Sequence, residues 1–130
     1  MSYGLKRAKL IRHLEAVYFD SQDWKEDTDG YPLTLTILKR SKEFIYSLPN
    51  HLLDMFTEDT IFGDPNGTMS FEVDSKDGST VLFSLDIGNT KAAYYVENDE
   101  RTAYFNEFTD TSSLNPKLKE TLGDTYSKLQ

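Results

Sequence analysis

The spacing of apolar side chains switches once near the middle of this chain and switches back near its end, which restricts the order of elements it can build. Up to about residue 48 the apolar positions recur with a period of about 3.6, the signature of one helix face. Leu10, Leu14, Val17 and Tyr18, with Ile11 beside them, predict an amphipathic helix over residues 4–19 whose other face is basic. Ile37, Leu38, Phe44, Ile45 and Leu48, with Ser41 between them, predict a second helix from about 33 to 48 with Pro32 at its start. The string Leu33 to Ile37 also alternates as a strand would, whereas Pro49 closes the segment on either reading because it pushes the preceding residue out of helical geometry.

From about residue 60 the period drops to 2. Met69, Phe71 and Val73 alternate with Thr68, Ser70 and Glu72, and Val81, Phe83 and Leu85 alternate with Leu82, Ser84 and Asp86. Turn signals fall at Asp64-Pro65-Asn66-Gly67, Lys76-Asp77-Gly78, Gly88-Asn89 and Asn98-Asp99-Glu100, so four to five antiparallel strands in a meander are expected. Asn66-Gly67 reads as a two-residue hairpin turn. Aromatic side chains then fall on both faces of the last strands, with Tyr94 and Val96 opposed to Tyr95, and Tyr104 opposed to Phe105. A cover for the second face is expected from a C-terminal helix capped by Asn115, opened by Pro116 and carrying Leu118, Leu122, Tyr126 and Leu129 on one stripe. Helices and strands that do not alternate make this an α+β fold, expected as one domain over residues 1–130.

Composition narrows the function. With 130 residues, 38% of them hydrophobic, the chain can bury a real core without the disulfides that its lack of cysteine rules out. Thiolate catalysis and cysteine-based zinc sites are excluded with them. Lys6, Arg7, Lys9 and Arg12 interrupt any signal-peptide-like apolar stretch and no run is long enough to span a membrane, so a cytoplasmic protein is expected. The net charge of −8 disfavours direct nucleic-acid binding, which needs clustered cations, and favours a basic partner. Charge is also uneven: residues 1–18 hold four cations against Glu15, a balance of +3, while residues 54–77 hold seven acids against Lys76, a balance of −6. Homo-oligomerisation is left open by the sequence.

No motif completes a catalytic set. Leu85-Asp86-Ile87-Gly88-Asn89-Thr90-Lys91 resembles the first phosphate-binding loop of the acetate and sugar kinase and actin superfamily. That likeness would give Asp86 a role at Mg²⁺, and Asn89 and Thr90 roles beside phosphate, but it covers seven residues, which serve equally as a hairpin turn. Asp27, Asp29 and Gly30 copy part of an EF-hand loop, yet the alignment puts Lys25 and Thr36 where the first and last carboxylates are needed. No metal and no cofactor are therefore expected. His13 and His51 lack ligands at metal spacing, no serine sits in a Gly-x-Ser-x-Gly turn, and nothing singles out two of the 22 acids as a glycosidase pair.

The run from Asp20 to Pro32 contains the sole tryptophan, Trp24, which serves either as a lid on the core or as an exposed anchor. Trp24 with Asp27, Asp29, Gly30, Tyr31 and Pro32, then Phe44 to Pro49, then Asp64 to Glu72, resembles a widespread set of small bacterial proteins. That set shows a Trp-Asp-Gly-Tyr loop, a helix ending in Leu-Pro and a Pro-Asp-Gly hairpin leading into a strand with Glu. This chain has extra residues between Trp24 and Asp29, and Val73 where an aromatic is usual. The resemblance implies this order of elements and a bacterial or phage origin, and brings no established activity.

The leading expectation is a non-catalytic protein that binds a basic protein partner, in the manner of an antitoxin, an immunity protein or a phage inhibitor. Candidate partner-binding residues are Trp24, Asp27, Asp29, Tyr31, Tyr94 and Tyr104. The alternative is a small-ligand or phosphate binder, or an enzyme, that uses the sheet near Asp86, Asn89 and Thr90.

Overall fold

The computed structural model describes residues 2–97 and 103–130, the side chains of Glu97 and of residues 103–106 excepted. The expected turn at Asn98-Asp99-Glu100 and the side chain of Tyr104 lie outside the described residues. Helix α1 spans Tyr3–Ser21 and starts where the Ser2 hydroxyl accepts a hydrogen bond from the Leu5 amide. Helix α2 spans Leu35–Ser47. Its cap is Thr34, extended, whose hydroxyl accepts from the Ile37 amide, so Leu33 stays outside the helix and buried, and Pro32 lies before the helix rather than in its first turn. Leu48 leaves the helix in an extended conformation just before Pro49. Helix α3 spans Pro116–Lys128, capped by the Asn115 side chain on the Lys117 and Leu118 amides.

Between α2 and the sheet lie two 3₁₀ turns, Asn50–Met55 and Glu58–Thr60, which the periodicity did not reveal. They bury Leu52, Leu53 and Met55, with Phe56 between them. A five-stranded antiparallel meander follows: β1 (Ile61–Asp64), β2 (Thr68–Asp74), β3 (Val81–Ile87), β4 (Ala92–Glu97) and β5 (Ala103–Phe108), in spatial order β1-β2-β3-β4-β5. The first hairpin has a three-residue loop, not two. Asp64 pairs with Thr68, the Gly67 amide bonds back to the Asp64 carbonyl, and Gly67 takes the left-handed conformation that such a loop requires.

Register places Phe71, Leu85 and Tyr94 side by side, flanked by the rows Val73-Phe83-Val96 and Met69-Ile87-Ala92. These residues share one continuous core with Leu10, Leu14, Ile37, Phe44, Ile45, Leu118 and Leu122. All three helices thus contribute to the same side of the sheet, and α3 does not cover the second face as its sequence suggests. The Leu118 and Leu122 stripe is used against the 3₁₀ turn and the inner side of β3. At the centre, the rings of Phe44, Phe56 and Phe71 meet edge to face with centroids 5.1–6.1 Å apart.

Both ends of the sheet's first strand are tied down. The His13 ring nitrogen Nε2 lies 2.7 Å from the Ile61 carbonyl oxygen, and the Pro65 carbonyl beyond the strand accepts from the Tyr31 amide at 2.9 Å. An edge occupied in this way offers less to a foreign strand. Among the described residues no helix is long and apolar enough to cross a membrane.

Candidate interaction face

The acidic run around Trp24 is a loop closed at its base. Ser21 Oγ accepts from the Leu33 amide at 3.0 Å, and Gln22 Nε2 donates to the Leu33 carbonyl at 2.8 Å, so the end of α1 is clipped to the start of the α2 cap. Within the loop Asp29 is spent on structure, its carboxylate accepting from the Lys25 amide at 2.9 Å. Asp27 is exposed. Among the described residues no three side chains of metal-binding type converge.

Trp24 is partly buried, and what it covers is Gly63 on β1. A Cβ built on Gly63 would lie 2.9 Å from the ring tip of Trp24 and 3.4 Å from Leu33 and Val17. The loop also seats on the β1–β2 hairpin through Gly30 against Pro65 and Tyr31 against Gly67. Two stretches that stood out separately in the sequence are therefore one unit, with Trp24 as its lid. Gly63→Ala should displace the indole, shift the tryptophan emission to longer wavelength, and cost about 1–3 kcal/mol. Emission and denaturation midpoint unchanged from wild type would show that the ring does not rest on Gly63.

The remaining partner-binding candidates scatter. Tyr31 is 58% exposed on the loop, whereas Tyr94 is 1% exposed, stacked on Phe83 and close to Phe108. Tyr94 is thus a core residue and not a partner contact: the register sets it beside Leu85, and it is its neighbour Tyr95 that faces outward. Tyr104 is placed only by its backbone, opposite Val96.

The side of the sheet away from the helices carries Phe62, Ser70, Glu72, Ser84, Asp86, Ala93, Tyr95 and Glu107 by strand alternation and register. Phe62 and Tyr95 are each 37% exposed. Ser70 Oγ donates to Asp86 Oδ1 at 2.5 Å, and Lys91 pairs with Glu107 at 3.5 Å. The Glu72 carboxyl is pushed above the usual carboxylate range, first by partial burial and then by the like charges of Asp74, Asp86 and Asp64. By periodicity alone these outward positions are mixed in character. Their acids fall together with Phe62 and Tyr95 only once the strands are in register.

The kinase-like segment does not form a phosphate cradle. Asp86 reaches Ser70 on the open face, whereas Asn89 accepts from the Thr34 hydroxyl at the cap of α2, on the helix side. The Gly88 amide, which such a loop would turn toward phosphate, is bonded to the Lys91 carbonyl at 2.8 Å, and Thr90 is exposed in this ordinary hairpin turn. No family model, no curated protein and no solved structure matches this chain.

Proposed function

We propose that this is a non-catalytic binding protein that takes a basic protein partner on the open face of its sheet. The observation that carries this reading is that strand alternation and register set Asp64, Glu72, Asp74 and Asp86 on one side of the sheet together with two exposed aromatic rings, Phe62 and Tyr95. Like charges held close raise the energy of the unbound protein, and an incoming Lys or Arg relieves that repulsion while its aliphatic stem covers the rings. Neutralisation of a cationic partner by an antitoxin, immunity protein or phage inhibitor is the kind of role such a face suits.

The test is capture from a native cell extract at graded salt, with the double variant Glu72→Lys/Asp86→Lys and, as a control, Glu26→Lys/Asp27→Lys on the loop. A basic protein retained at low salt, released as salt rises and lost only with the sheet variant supports the proposal. Equal retention by wild type and the sheet variant would refute it. The pH dependence has a definite sign: a cation favours the Glu72 carboxylate, so binding releases its proton, and affinity should fall as pH drops through its raised pKa.

A further inference from the structure

Resting on that reading of the face, we infer that the occupant is an α-helix carrying Lys or Arg, laid along β2 and β3 between Phe62 and Tyr95. The sheet offers side chains here, not backbone groups. An extended segment needs backbone partners and takes them at a sheet edge, β1 or β5, and not on the face above β2 and β3, whose backbone groups are already paired within the sheet. A helix satisfies its own backbone and can lie on a face.

The dimensions agree. Phe62 stands on β1 and Tyr95 on β4, three strand spacings apart, or about 14 Å, against about 10–12 Å for a helix with its side chains. The floor between them is made of the small residues Ser84 and Ala93, both partly exposed, and Ser70, which is buried and bonded to Asp86, and the carboxylates Glu72 and Asp86 stand within it. With β2 and β3 each seven residues long, the floor runs for about 23 Å, which is about 15 residues of helix. Charge complementarity selects the sign of that helix. Tyr95 adds a ring face on which a lysine or arginine stem packs.

Two synthetic 15-residue peptides of Lys, Leu and Ala distinguish the possibilities, one amphipathic and helix-forming, the other identical apart from two central prolines. Titration of each into the full-length protein, read by amide chemical shifts and by peptide circular dichroism, should show the helical peptide binding roughly tenfold more tightly. Shifts should cluster at Phe62, Ser70, Ser84 and Tyr95, with a gain in peptide helicity, and Glu72→Lys/Asp86→Lys should abolish them. If both peptides bind equally and the charge reversal abolishes both, the basic-partner reading stands and the helical occupant is overturned. If neither binds at low salt, the reading of the face itself fails. Sedimentation of the protein alone gives the other outcome: a self-associated form lost in the charge-reversal variant would make a second copy of this chain the occupant and overturn the inference.

Discussion

Gly30→Ala is expected to destabilise the protein by about 3 kcal/mol, lowering the melting temperature by roughly 10 °C, because two costs coincide at that position. Gly30 has φ of +118°, which an L side chain rarely adopts, and its added Cβ would lie 2.6 Å from the Pro65 Cα and 2.7 Å from the Pro65 carbonyl oxygen. Those atoms are backbone and proline ring, so neither can swing aside. The hairpin must move away, taking with it the 2.9 Å bond from the Tyr31 amide to the Pro65 carbonyl. Gly78→Ala is the internal control: φ there is +73°, but nothing lies within 4 Å of the added atom. Conformation alone should then cost about 1 kcal/mol, as for other single left-handed residues. Thermal circular dichroism on both variants separates strain from collision, and equal losses would mean that the loop does not seat on the hairpin.

Phe71→Ala should be as damaging, at about 3–5 kcal/mol, by emptying the centre of the aromatic trio. Phe71 is fully buried and its ring meets Phe44 at 5.1 Å and Phe56 at 6.0 Å, so one substitution removes two edge-to-face contacts and leaves a cavity between a strand, a helix and the 3₁₀ turn. In urea the midpoint should fall with an unchanged slope, since the same surface is still exposed on unfolding. Phe62→Ala lies one strand away on the open side and should stay within about 1 kcal/mol of wild type. A large loss at Phe62 with a small one at Phe71 would invert the assignment of the two faces.

Much of the architecture was legible in the chain because local signals agreed with one another. At α3, Asn115, Pro116 and the Leu118-Leu122 stripe each point to the same start and the same buried face. The alternation in β2 and β3 was equally clear. The 3₁₀ turns escaped because Asn50–Met55 and Glu58–Thr60 are too short to establish a period, although the buried Leu52, Leu53, Met55 and Phe56 were present as a bare apolar cluster.

The site was harder to read for a different reason. Tyr94 and Tyr95 are adjacent and chemically alike, and only pairing with Leu85 and Ser84 on β3 decides which points inward. Likewise, Trp24 and Gly63 are far apart in the chain, and no local rule announces that a glycine on one strand makes room for a ring on a distant loop. Even the side chosen by α3 was a tertiary decision, since its apolar stripe fits any sheet face that needs cover.

The clip that joins Ser21 and Gln22 to Leu33 has a consequence for how this chain can vary. Because the helices are fastened to each other at the foot of the loop, the segment beyond the clip is not what sets their spacing. Entropy also penalises extra length weakly, by about 0.6 kcal/mol for each doubling of a flexible loop. The stretch on either side of Asp27 is therefore a tolerant place for residues to be gained or lost over generations, while Trp24, Gly30 and Tyr31, which hold the loop to the sheet, are not.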